Sequence, residues 1–285
     1  MERIPVRHIN AARKEPDLPG SFSIRDVNAL LAGKDMVQEL HRHDFFYILA
    51  LKSAAGRHDI DFTAYTVGDN TVFFMRPGQV HQLVLKSGSS GYLMQFSDEF
   101  YFPGDKLSNQ LLRRASNTDH YQLNADSFQQ LDAILGAVFR EFAEKKELYE
   151  DVIKANMDIF FIELTRQQSN NHSDKVSLYT QERLEKFLEL LEASIFTHKQ
   201  VAQYAEMLNL SPYQLNAIAK AALGKTCSQI INDHIILEAK RCLLATSSQV
   251  SQTAYRLGYE DVSYFIRFFK KQTGYSPEAF RNNFK

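Results

Sequence analysis

The sequence predicts an α+β chain of two domains. A strand-rich N-terminal barrel or sandwich carries helices after it, and an all-α C-terminal domain holds two helix-turn-helix units joined by a long helix. Three observations predict this: short apolar and aromatic runs divided by turn residues fill about residues 21–102, helical periodicity starts near residue 126, and the last third contains an internal near-repeat. At 285 residues the chain is long enough for two domains, and its 44% apolar content suffices for a core in each.

The strands read first. Residues 45–51, 62–67, 71–75 and 92–96 are runs of strand length rich in aromatic and branched residues. Gly68-Asp69-Asn70, Pro77-Gly78 and Gly88-Ser89-Ser90-Gly91 separate them with turn chemistry. From about residue 126, Leu131, Ile134, Leu135, Val138, Phe139 and Phe142 mark one helical face. A second helix spans about 148–167, uninterrupted by Gly or Pro, with the stripe Val152, Ile153, Met157, Phe160, Phe161 and Leu164. Helices thus occupy about 126–167. A polar stretch without periodicity follows, so the expected division is a first domain over 1–168, a linker over 169–177 and a second domain over 178–285.

Composition narrows the function classes. No run of about 18 apolar residues exists, so no membrane span and no membrane partner are expected. Residues 1–19 lack the apolar core of a secretion signal. The two cysteines, Cys227 and Cys242, have no metal-type spacing, which leaves a cytoplasmic, disulfide-free protein as the expectation. The net charge of −1 hides an asymmetry: from Lys199 onward 11 Lys+Arg stand against 6 Asp+Glu, leaving 22 against 28 before it. A mildly basic C-terminal part permits nucleic-acid binding. No P-loop, dinucleotide fingerprint, nucleophile elbow or HExxH motif is present, so no catalytic residue is assigned and no enzyme is expected.

The repeat carries the most information. Residues 201–208 (VAQYAEML) align with 250–257 (VSQTAYRL), and after a one-residue insertion Leu215, Ile218, Lys220 and Gly224 align with Phe265, Phe268, Lys270 and Gly274. Each unit has a short helix with a small residue at the close approach (Ala205, Ala254), a turn on Asn209 or Gly258, and a second helix capped by Ser211-Pro212 or Asp261. Residues 228–244 form the bridging helix. At roughly 26 Å it is of the right length to present two helices to major-groove segments about 34 Å apart.

The stretch 254–281 (AYRLGYEDVSYFIRFFKKQTGYSPEAFR) resembles the signature of the AraC/XylS family, with similarity over about 178–285. That resemblance implies a seven-helix domain binding double-stranded DNA as a bacterial transcriptional regulator. In the second unit Phe265, Phe268 and Phe269 fall on a core face, while Val262, Ser263, Ile266 and Arg267 face the groove by that resemblance. Arg267 suits either bidentate reading of guanine or a phosphate clamp. Lys270 and Lys271 suit phosphates, and Tyr264 suits packing or contact. In the first unit Pro212, Tyr213, Asn216 and Ala217 take the family's DNA-facing positions, with Asn216 a reader of adenine and Lys220 the helix's cation. Ala217, Ala219 and Ile235 depart from the residue types common in the family.

The N-terminal half resembles cupin-type sensing domains of the same family through His41-Arg42-His43-Asp44, Gly68, and Pro77-Gly78-Gln79-Val80-His81, over about residues 21–100. This implies a cupin-like β-barrel and an unidentified small-molecule effector in its mouth. Arg42, His43, Tyr47, Arg76, His81 and Tyr92 are its candidate binding residues. Metal-binding cupins pair such histidines with a carboxylate, whose place Tyr47 or Ile48 fills here, although the three imidazoles of His41, His43 and His81 alone could hold a metal. Regulatory members keep the scaffold without a metal, so no metal or other cofactor is expected, and His41 and His43 are read as rim residues in hydrogen bonds. The resemblance also implies a homodimer through the helix at about 148–167, and RNA polymerase as a partner if the protein is an activator.

Overall fold

The computed structural model describes residues 5–7, 9, 21–101, 106–171, 177–245 and 249–283. Its contacts divide the chain into two units, residues 5–172 and 173–285.

The first unit opens with β1 (Val6–Arg7), β2 (Phe22–Asp26), α1 (Val27–Leu31) and β3 (Met36–His43). A run of strands follows: β4 (Phe46–Ser53), β5 (Gly56–Ile60), β6 (Thr63–Val67), β7 (Thr71–Met75), β8 (Val80–Leu85) and β9 (Ser90–Phe96). Then come α2 (Asp98–Tyr101), α3 (Lys106–Ser116), β10 (His120–Gln122), α4 (Ala125–Glu144) and α5 (Tyr149–Asn171). The strands form two five-stranded sheets, ordered β1-β3-β8-β5-β6 and β10-β7-β4-β9-β2.

Strand β4 explains how these sheets are covered. Tyr47, Leu49 and Leu51 join Phe73, Met75, Leu83, Leu85 and Leu93 in the core between the sheets. The alternate residues Phe46, Ile48 and Ala50 join Val72, Phe74, Met94 and Phe96 in a second core under the helices. A strand buried on both faces loses polar alternation, which is why it reads as a continuous apolar run. Helix α5 supplies Ile153, Met157, Phe160, Phe161 and Leu164, all fully buried, to the second core. Phe161 stacks on Phe74 at 5.6 Å between ring centres. Its burial stabilises by about 1.5–3 kcal/mol. The α5 stripe expected as a dimer contact is therefore internal packing. Of the residues read there, only Val152 is exposed, beside Leu148 and Ile159.

The second unit holds α6 (Leu178–Ser194), α7 (Val201–Met207), α8 (Pro212–Leu223), α9 (Cys227–Ala245), α10 (Val250–Arg256), α11 (Val262–Thr273) and α12 (Pro277–Asn283), seven helices among the described residues. The repeat extends to the caps. The Gln203 side chain accepts from the Gln200 N–H at 2.9 Å, and Gln252 accepts from the Gln249 N–H at 3.1 Å. Ser211 accepts from Gln214 N–H at 3.2 Å and Asp261 accepts from Ser263 N–H at 2.7 Å, each starting the second helix of its unit. The two turns are left-handed, with φ of 53° at Asn209 and 74° at Gly258. Helix α9 touches α7, α8, α10, α11 and α12 and is the spine of the unit.

Three features differ from the sequence expectation. Residues 169–171 extend α5 rather than opening a linker, since no helix breaker precedes them; residues 172–176 of the expected linker lie outside the described residues, and Ser177 caps α6. Helix α3 and strand β10 occupy a region to which no element is assigned from sequence. Phe268 is only partly buried, against Tyr259, whereas Phe265 and Phe269 are core.

The Gly258 turn generates a prediction. A Cβ there would sit 2.0 Å from the Phe196 carbonyl oxygen and 2.7 Å from Lys199 Nζ, at a φ unfavourable for any side chain. Gly258→Ala is expected to destabilise the helical unit by about 2 kcal/mol or more. Asn209→Gly is expected to be neutral or slightly stabilising. Urea unfolding of the full chain followed at 222 nm distinguishes the two.

Candidate functional site

The second helix of each repeat presents an outward face. On α11, Ser263, Arg267, Lys270 and Lys271 are exposed, Val262 and Ile266 are partly buried, and Phe265 and Phe269 anchor the opposite side. The nearest carboxylate to Arg267 is Asp261, at 3.9 Å, with both side chains largely exposed. Such a pair contributes little and leaves the guanidinium available. Tyr264 is 55% exposed although its ring lies 6.0 Å from that of Tyr259, so it stands on the surface of α11 rather than in its core.

On α8, Pro212, Tyr213, Ala217 and Lys220 are exposed, and Leu215, Ile218 and Ala219 are buried. Tyr213, at 83% exposed, is the most open large side chain on this face. Asn216 departs from the sequence expectation. Its Nδ2 donates to the Pro212 carbonyl at 3.0 Å, and its Oδ1 accepts from the Cys227 N–H at 2.9 Å. The amide thus caps the start of α9 and ties α8 to it, a positioning role that competes with reading a base.

The two faces are held in relation by direct backbone contact. Gly258, in the turn of the second helix-turn-helix, lies against the Phe196 carbonyl at the entry to the first helix-turn-helix. Lys199 Nζ donates to the carbonyls of both Phe196 and Gly258 at 3.2 Å and sits 5.2 Å from the Tyr259 ring. Partial burial lowers the Lys199 pKa from its usual range. Beside this contact, within the helical unit, a cleft of about 520 Å³ lies between the two helix-turn-helix repeats, lined by Lys199, Asn232, Ile235, Asp261, Tyr264 and others. Lys199 and Asn216 have no distinctive sequence signal: one precedes a helix and the other lies inside one.

In the first unit the alternation of β3, β5 and β8 turns His41, His43, His58 and His81 into the space between the sheets. His41 and His81 are directly paired across β3 and β8, just after a register shift between Gln38 and His41. Such an irregularity re-aims the side chains after it. Nε2 of His81 lies 2.7 Å from Nε2 of His43 and 2.9 Å from Nε2 of His41. Nδ1 of His81 lies 2.9 Å from Nε2 of His58, and Nδ1 of His41 lies 2.6 Å from the Glu39 carbonyl. Burial is the main cause lowering all four pKa values: to about 4 for His41, about 3 for His43 and His58, and well below the usual range for His81. His41 and His43 are therefore interior, not rim, residues. His58 is absent from the sequence assignment; its only signal is the alternation with Ile60.

The other barrel candidates divide. Tyr47 is interior, 1% exposed, and stacks on His43 at 5.2 Å, with its hydroxyl unpartnered and its pKa raised by burial. Tyr92 packs on Phe139 of α4, on the helix side of the sheet, and Arg42 alternates outward between His41 and His43. Both point away from the interior. Arg76 is partly buried in the turn after β7, where its N–H donates to Oε1 of Gln79 at 2.6 Å. Gln79 in turn donates to Asp61 and Asp119, fixing the loop that delivers His81.

Residues 33–155 match the family described as AraC-like ligand binding domain, and residues 204–283 match the family described as Helix-turn-helix domain. Similar curated proteins include the HTH-type transcriptional activator RhaS of Enterobacter sp. (strain 638), 23% identical over 85% of this chain and 86% of that one. RhaS of Escherichia coli O1:K1 / APEC is 24% identical over the same shares of each. Among solved structures, ToxT from Vibrio cholerae O395 aligns with a TM-score of 0.44 at 17% identity, covering 92% of this chain and 97% of that one.

The two roles on α8 are separable. Asn216→Ala is expected to lower the stability of the helical unit by about 1 kcal/mol through the lost cap. Tyr213→Ala is expected to leave stability unchanged within about 0.5 kcal/mol. Chemical denaturation of both variants checks this.

Proposed function

The chain belongs to the AraC/XylS family of transcriptional regulators, and from that premise we propose that it reads adjacent major-groove segments with α8 and α11 while its barrel responds to a small ligand. The observation that carries this reading is the duplicated unit, matched in its caps and turns, with an outward face on each second helix. On α11, Arg267 contacts a guanine edge or a phosphate, Lys270 and Lys271 neutralise phosphates, and Val262, Ser263 and Ile266 line the groove. On α8, Pro212 and Tyr213 meet the duplex and Lys220 a phosphate, while Asn216 holds the helix in place. The effector-facing residues are His43, Tyr47 and His81, with Arg76 at the adjoining turn. The reading is of a regulator, not an enzyme, acting in the cytoplasm where its DNA is; among the described residues no helix is long and apolar enough to cross a membrane. The RhaS proteins named above are activators, and RNA polymerase is the partner that activation requires.

The pairing surface is the exposed side of α5. Val152 and Ile159, 38% and 48% exposed, lie seven residues apart on the side of α5 away from the core, and Leu148, 67% exposed, sits in the left-handed turn just before the helix. That row suits a second copy of the chain. Ile159→Glu is expected to shift the protein from dimer to monomer in sedimentation equilibrium while the fold is kept; an unchanged mass would remove α5 as the contact.

The DNA reading is tested by fluorescence anisotropy on a duplex from the protein's own promoter region, against a random duplex. Specific binding tighter by about 10³-fold or more is expected. Arg267→Ala should cost about 1–3 kcal/mol on the specific duplex, whereas Lys270→Ala should weaken both duplexes alike and reduce the salt slope by about 1. Equal, weak binding to both duplexes would contradict the proposal.

A further inference from the structure

The barrel interior holds polar groups that its own chain leaves unmet. The Tyr47 hydroxyl is buried without a hydrogen-bond partner, and so is Nδ1 of His43, whose ring stacks on Tyr47. Burial raises the Tyr47 pKa, so the hydroxyl keeps its proton and is a donor without an acceptor. Native cores rarely leave such a group unsatisfied.

Strand register shows what stands beside it. Gln95 of β9 pairs with Tyr47 on one side and with Ser23 of β2 on the other. Arg25 of β2 pairs with Leu93, a residue of the core between the sheets, so its side chain leaves the strand on that inner face. Its guanidinium donates to Oε1 of Gln95 at 3.0 Å. On the facing sheet, Arg7 of β1 pairs with His43 and shares its inward face. Strands β1 and β2 are the edge strands of the two sheets, so one arginine comes from each. Both arginines are exposed, and among the described residues neither has an ion pair. Both lie close enough for their charges to act on the Tyr47 hydroxyl, and Arg7 acts likewise on His43. His43 itself is neutral, its pKa held at about 3, chiefly by burial.

We propose that the small ligand of the barrel is an organic carboxylate, bound between the guanidinium groups of Arg7 and Arg25, with the Tyr47 hydroxyl donating to it from the interior. This inference rests on the reading of the barrel as ligand-responsive and names the chemical class of the ligand. The two coplanar oxygens of a carboxylate match guanidinium forks, and charge-assisted bonds of this kind are roughly twice as strong as neutral ones. The same oxygens supply the acceptor that Tyr47 lacks. Two cations beside uncharged imidazoles suit a monoanion better than a phosphate group, which carries close to two negative charges at neutral pH. A neutral ligand would replace the hydration of two guanidinium groups with weaker bonds.

The test titrates benzoate and hexanoate into the full-length protein, with benzamide and hexanamide as uncharged counterparts and inorganic phosphate as a further probe. Calorimetry and the shift in Tm are the readouts. Saturable carboxylate binding with a rise in Tm is expected, with the matching amide weaker by about 10-fold or more. Arg7→Gln and Arg25→Gln should each weaken carboxylate binding about 10-fold or more while the Tm of the free protein stays the same, since both side chains are exposed. Tyr47→Phe should weaken binding about 10-fold while the Tm of the free protein is unchanged or higher, because the hydroxyl it deletes has no partner. Absence of binding by both carboxylates overturns the proposal, as does binding that survives both arginine variants. Tighter binding of phosphate or of an amide also overturns it, and would keep a ligand in the barrel but not a carboxylate. Operator binding is independent of all these outcomes.

Discussion

The carbonyl of Phe196 occupies the space where any side chain on residue 258 would have to be. That contact sets how the second helix-turn-helix meets the first. Lys199 closes it by bonding both carbonyls, and Tyr259 covers the ammonium. With α9 packed against both units, α8 and α11 become two faces of one body rather than two modules on a tether. A protein that reads two groove segments needs this, because ordering two independent readers on DNA would cost conformational entropy that a preformed pair avoids. Asn216 belongs to the same frame, since its amide joins α8 to the first turn of α9.

The barrel unit obeys a different constraint. The three central strands of its second sheet, β7, β4 and β9, are buried on both faces and supply two cores at once. One consequence is that α5 commits its largest side chains to the sheet, so that among its described residues Val152 and Ile159 are the large apolar side chains left exposed. Another is that polar residues in the interior are few and clustered. The four histidines and Tyr47 stand together in an otherwise apolar space, where their lone pairs are directed by the β3 irregularity and by the loop that Gln79 anchors.

Much of this was legible in the residues. The repeat at 201 and 250 and the caps Ser211 and Asp261 specify the helical unit through local rules that packing does not overturn, and Asn209 and Gly258 adopt the left-handed turns they suit. The strand runs were legible as strands, but their faces were not. A run such as 45–51 shows no alternation when both sides are buried, so Tyr92 could not be told from an interior residue until register placed it beside Phe139. The α5 stripe was ambiguous for another reason: helical spacing marks an apolar face without recording whether the sheet or a partner covers it. Lys199, Asn216 and His58 were hidden for a further reason: each acts through a partner 11 or more residues away, at Gly258, Cys227 and His81, and no local pattern records such a pairing.

The central claim is that one chain engages DNA through two helices held at a fixed separation. Hydroxyl-radical footprinting of the full-length protein on the duplex it selects tests this most directly. Two protected patches per bound chain, about one helical turn apart on the same face of the duplex, are the predicted result. A single patch per chain, or two whose separation varies from site to site, would contradict it.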